Sequence, residues 1–265
     1  MAAAVARASR YSSMGERTLK ARPDPGQGQV EAPAGARNRR GTGYVWGMNR
    51  NALALAALLA AAPSPAPAAE VRGEVRFLGP APAAAPLETT KERALCGDSV
   101  PDETLQISKG KVRNAVVVVR GAPAPAPVKA SLDQRTCRYV PHVQAMPLGS
   151  TLEVVNGDPT LHNVHGYLGQ ATAFNLAMPS KDQRLARQMK KPGLVVVRCD
   201  VHAWMSAYVW VVDGPSAVSA EDGSFVIANV PPGTYEVTAW HEKLGEKKGT
   251  VTVPASGAAT VDFEY

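Results

Sequence analysis

The 265-residue chain is 45% hydrophobic and 20% charged, a balance that packs a core and excludes global disorder. Proline (22) and glycine (23) are frequent while aromatics make up only 6%, which predicts many turns and few long helices. The formal charge of +6 is concentrated upstream: residues 1–68 hold nine of the 29 Lys/Arg and three of the 23 Asp/Glu, leaving 20 of each downstream, and so neutral a body excludes nucleic acid as a partner.

Residues 1–47 mix Arg, Gly, Ala and Pro without a hydrophobic period and are expected to be a non-native segment ahead of a true start at Met48. Residues 48–69 read as a Sec-type signal peptide. Arg50 is the basic start, residues 52–62 are an unbroken Ala/Leu run, and the Pro/Ala stretch to Ala69 supplies small residues for cleavage. The run is about half of what a bilayer crossing needs, so no transmembrane anchor is expected. A buried Ala/Leu helix is the alternative. The mature chain is therefore expected in the periplasm or outside the cell.

From Glu70 onward the text is strands and turns. Val71 to Phe77 alternates apolar and polar residues, residues 79–87 are a Pro/Ala loop, and Ala115 to Val119 is a continuous β-branched run of the fully buried kind. Alternating proline makes 121–127 a stiff linker. Thr151 to Asn156, Leu194 to Cys199 and Ala207 to Asp213 are strand-like, and Lys181 to Lys191, stopped by Pro192-Gly193, is the one stretch expected to be helical. Asp222-Gly223 and Pro231-Pro232-Gly233 are turns around the strands Ser224 to Ile227 and Thr234 to Trp240, with Thr250 to Val253 and Thr260 to Phe263 completing a sheet. The fold class is all-β, in two sandwich-like units.

The chemistry is carried by cysteine and histidine. Three cysteines, Cys96, Cys137 and Cys199, leave one unpaired in an exported chain. Cys199 opens a run in which His202 and Met205 follow at intervals of three, placing thiolate, imidazole and thioether in one tight loop. His162, Asn163 and His165 stand upstream, just past the strand ending at Asn156. A soft thiolate, two imidazoles and a weak thioether form the donor set of an electron-transferring copper ion, and a rigid sandwich keeps reorganisation small between its oxidation states. Zinc on the same residues, or a buried cysteine with unrelated histidines, are the competing readings.

Residues 128–213, through the Asn156–His165 run and the Cys199–Met205 loop, resemble the cupredoxins, and the short loop is most like that of the amicyanins. The resemblance implies a Greek-key sandwich with one type 1 copper ion held by His162, Cys199, His202 and Met205. It further implies that Asn163 hydrogen-bonds across to the cysteine loop. The function implied is single-electron transfer between redox protein partners through an exposed edge of His202, by a protein that is not an enzyme. Ala203 stands where amicyanins have proline, and with Trp204, Pro159 and Pro179 it is expected to form an apolar rim for docking. Odd spacing along a strand turns His165 away from His162, so His165 is expected to support the site without binding metal. Residues 214–265 resemble the carboxypeptidase regulatory-like, transthyretin-like module, a structural sandwich. Residues 70–127 are expected either to complete that second sandwich around an inserted cupredoxin or to pack separately. With Cys199 given to copper, Cys96 and Cys137 are expected to form a disulfide, two buried free thiols being the alternative. A functional rival is a cell-envelope binding or scaffolding module whose metal is structural or absent.

Overall fold

The computed structural model describes residues 69–265. The expected upstream segment, and all but the last residue of the expected signal peptide, lie outside the described residues. No helix among the described residues is long and apolar enough to cross a membrane. These residues are all-β apart from a single helical turn, Arg93–Cys96.

Four sheets form two sandwiches. In the first, Glu70–Arg76 lies between Ser224–Ile227 and Lys111–Val112, with Ala258–Thr260 and Phe263–Glu264 also pairing onto it. Facing it, Val116–Arg120 pairs antiparallel with Ser216–Val218 and with Gly233–His241, which in turn pairs with Gly245–Val253. Val71, Val75, Phe225 and Ile227 meet Val117, Val119, Val237 and Val251 in the core between the two sheets. The run Val116–Val119 does not alternate in polarity because both its faces are covered. Val117 and Val119 face this core, whereas Val116 and Val118 face a second cluster with Val143 and Val212.

Residues 129–212 supply the other sandwich. Thr151–Asn156 runs parallel to Lys129–Arg135, which forms a hairpin with Arg138–Val140. The opposing sheet runs Ala171–Met178, His162–Leu168, Gly193–Arg198, Ser206–Val212 and Val143–Pro147. Burial alternates as the pleat demands: Phe174, Leu176 and Met178 are inside, Ala173, Asn175 and Ala177 outside. Leu132, Leu152 and Val154 of one sheet pack against Val164, Val195, Val197 and Val209 of the other.

The expected helix at Lys181 to Lys191 is instead a strand, Arg184–Gln188, paired antiparallel with Thr151–Val155. Leu185 and Met189 are four apart, which suits a helix face, but they are also an even number apart and reach the core from one face of a strand. The Arg, Lys and Gln content that looked helical belongs to a solvated sheet edge, where charge discourages pairing with another chain.

Candidate metal centre

Strand His162–Leu168 begins at His162, and its antiparallel neighbour Gly193–Arg198 ends one residue before Cys199, so both residues sit at one end of the sheet. The chain turns through residues 199–205, carrying His202 and Met205, and re-enters the sheet as Ser206–Val212. The turn closes on its own backbone: the Met205 N–H donates to His202 O at 3.0 Å, and the His202 N–H reaches Cys199 Sγ at 3.4 Å.

His162 and His202 are fully buried, and Cys199 and Met205 nearly so. His162 Nδ1 and His202 Nδ1 are 2.9 Å apart, and Cys199 Sγ is 3.9 Å from His202 Nδ1. One donor atom from each of the three residues lies within 4.8 Å of the others. Met205 belongs to the same apolar cluster as Cys199. The remote nitrogens meet carboxylates: His162 Nε2 lies 3.0 Å from Asp158 Oδ2, and His202 Nε2 2.9 Å from Glu92 Oε2. A ring that donates from Nε2 carries its lone pair on Nδ1. Two such lone pairs at 2.9 Å repel unless a proton or a cation lies between them. Two imidazoles, a thiol and a thioether on one short loop and its neighbouring strand fit copper, and the first three also fit zinc.

The buried groups of the site shift one another strongly. Burial disfavours charge on His162, but the Asp158 carboxylate and the Cys199 sulfur outweigh it and push the imidazole up to about 9. Burial would raise the Cys199 thiol, yet the His162 ring and the N–H groups of Asn163, His202 and Val201 hold it below its ordinary value. His202 is held below its ordinary value by burial and by His162, against the pull of Glu92. Asp158 is likewise low: burial opposes this, but His162 and the N–H groups of Cys137 and Thr136 prevail.

The surroundings lock this arrangement. The buried Tyr139 hydroxyl donates to Asn163 O and lies 3.1 Å from Arg198 O, bridging the two strands that carry His162 and Cys199. Asn163 donates to Asp200 Oδ2 at 2.8 Å and accepts the Asp200 N–H, so it spans to the cysteine loop. His165 points to the other face and meets the same Asp200 carboxylate at 3.0 Å and Thr172 Oγ1 at 2.9 Å. It supports the loop from outside.

One feature differs from the sequence reading. His202 has no exposed edge: residues 91–96 lie over it, with Glu92 on its ring and Lys91 Nζ 3.1 Å from Val201 O. The partly buried Trp204, with its ring centroid 5.0 Å from that of His202, is the aromatic beside it. The expected disulfide between Cys96 and Cys137 is present, and it lies against the candidate ligands. Asp158, Glu92 and Tyr139 escaped the sequence reading. Asp158 sits in Asn-Gly-Asp-Pro text that reads as a turn, and Glu92 is 110 residues from His202 with no motif to join them.

Residues 216–261 match the family described as polysaccharide lyase family 4, domain II, in place of the carboxypeptidase regulatory-like module expected there. No curated protein matches the sequence. Among solved structures, the chain is similar to amicyanin from Paracoccus versutus (24% identity, covering 36% of this chain and 97% of that one, TM-score 0.29). It is similar to a purple cupredoxin from Nitrosopumilus maritimus (18% identity, 31% and 99%, TM-score 0.27). A copper-containing nitrite reductase from Thermus scotoductus aligns at 24% identity over 35% of this chain, with TM-score 0.29, and the chain spans 24% of that enzyme's length.

Proposed function

We propose that the chain is an exported type 1 copper protein that passes single electrons between redox protein partners and turns over no substrate. The observation that carries this reading is the buried convergence of His162, Cys199 and His202, with donor atoms within 4.8 Å and both remote imidazole nitrogens on carboxylates. Copper bound there supplies a one-electron couple. The chain does the rest. Asp158 and Glu92 orient the two imidazoles with Nδ1 toward each other, His162 and N–H donors hold the Cys199 thiol below its ordinary value, and Met205 offers a weak fourth donor. Burial excludes water, and sheet strands on both sides resist movement when charge changes. With His202 covered, Trp204 is the proposed route for an electron to the surface.

Copper-loaded protein should show the intense visible absorption of a thiolate-to-copper transition and the electron paramagnetic signature of a single cupric ion. Colourless protein holding zinc or nothing would overturn the reading. A structural metal in an envelope scaffold is the second reading, favoured by the complete burial of His202, since structural sites are closed. The same spectrum decides between them.

A further inference from the structure

All three cysteines of the chain meet in one buried place. Cys96, Cys137 and Cys199 are 2%, 0% and 4% exposed. The two disulfide sulfurs and a ring nitrogen of His202 lie within 4.8 Å of one another, as do Cys137 Sγ, an Asp158 oxygen and a His162 nitrogen. A staple that only tied chain segments together would have no need to press on both histidines.

A disulfide sulfur is a poor metal donor, whereas two thiolates are the soft ligands that select Cu(I). We propose that Cys96 and Cys137, once reduced, form a second soft-metal site with His202 as third donor. The site overlaps the first because the two share His202, so one ion cannot hold both. The oxidation state of this cysteine pair then decides where the metal sits. The reductant is a dithiol: its two sulfurs join, the Cys96–Cys137 bond breaks, and two electrons and two protons pass to the cysteines. Both thiol protons leave to solvent when Cu(I) binds. The buried sulfurs become reachable when residues 91–95 swing aside, Cys96 staying tied to Cys137 until the bond breaks. The turn there has only four helical residues; besides the disulfide and the packing of Leu95 on the core, it is held by Glu92 on Thr160 and His202, Arg93 Nε on Thr89 O, and Arg93 on the exposed Asp98.

The proposal rests on these side chains and not on a blue copper site, and a Cys199→Ala chain separates the two. The full-length variant is reduced with dithiothreitol, desalted anaerobically, and titrated with Cu(I) against bicinchoninate. The reduced variant should withdraw one Cu(I) per chain at least a hundredfold more tightly than the same variant with its disulfide intact. X-ray absorption of the bound metal should show two sulfur neighbours and a nitrogen. Adding His202→Ala should weaken Cu(I) binding more than tenfold. Equal binding by the reduced and oxidised variant overturns the proposal. So does tight binding indifferent to His202, which is what thiols of an unfolded chain would give. If the wild-type chain is colourless but the reduced variant passes these tests, only the blue copper reading fails.

Discussion

Asp158 serves three donors with two oxygens. Oδ2 accepts from His162 Nε2 and, at 2.9 Å, from the Cys137 N–H, while Oδ1 accepts the Thr136 N–H at 2.8 Å. Thr136 and Cys137 form the two-residue turn between Lys129–Arg135 and Arg138–Val140, and both have positive φ, 49° and 53°. Such turns favour Asn-Gly; here the carboxylate holds residues that rarely adopt the conformation. Asp158→Asn should lower metal affinity about 10–100-fold, the usual effect of losing a ligand's outer partner. Equilibrium dialysis against copper checks this, and unchanged affinity would remove Asp158 from the site. Met205→Leu should keep copper but shift its potential, because the thioether is a weak donor. Redox titration reads the shift, and complete loss of the metal would mean Met205 is a main anchor. A third expectation concerns His241, held below its ordinary value chiefly by burial. As pH falls through about 6.5 the unfolded chain takes up the proton first, so the stability this residue contributes is present above that pH and lost below it. His241→Gln should flatten the acid limb of stability measured by urea unfolding between about pH 7 and pH 5. An unchanged acid limb would place the sensitivity elsewhere.

Legibility differed between elements for physical reasons. Thr151–Asn156 and Ser224–Ile227 were read to the residue, because a period-2 pattern flanked by turns leaves little choice. His162 and His165 were read as lying along a strand, but the bounds of His162–Leu168 were not, because Gly166 and two histidines mask its alternation. Gly166 has a packing reason, since a Cβ there would sit 2.5 Å from the Phe174 ring. The covering segment was illegible because its value lies in a single long-range contact, Glu92 on His202, and Glu92 takes a left-handed conformation (φ 50°) that the sequence does not announce. The Cys199–Met205 loop was legible as a candidate donor set, since its sulfur and nitrogen groups recur at a spacing that few other demands would produce. The disulfide joining the covering segment to the Thr136-Cys137 turn links cysteines 41 positions apart, worth about 4 kcal/mol in the chain-entropy account. Cys96→Ser with Cys137→Ser should therefore lower the urea midpoint by an amount equivalent to about 3–4 kcal/mol. A change below about 1 kcal/mol would show that the pair contributes little to stability and would leave its redox chemistry as its purpose.

At the scale of the molecule, the two sandwiches share an apolar joint. Val116 and Val118 of one meet Val143 and Val212 of the other, bordered by Tyr208, Trp210 and Trp240, with the two tryptophan rings edge to face at 5.1 Å. A joint this dry couples the halves, so calorimetry should show one unfolding transition, and Val118→Asp, which buries a charge in it, should split the transition in two. Two transitions already present in the wild-type chain would contradict the coupling. The chain crosses between sandwiches at Gly214, where a Cβ would lie 2.3 Å from Val119 O. The interleaving of strands also sets a timetable. Apart from the single Arg76–Lys111 pair, Val71 and its strand find their partners only from Ser224 onward, and Val117 only at Ala217 and Ala239, so most of the pairing of the first strands waits for about a hundred residues or more. The middle sandwich has its last strand at Val212, ahead of Ser216–Val218, Ser224–Ile227 and Gly233–His241, and can close first. The proposed metal centre, covered by residues 91–96 and not by the C-terminal strands, is therefore complete while the ends of the chain are still searching for each other.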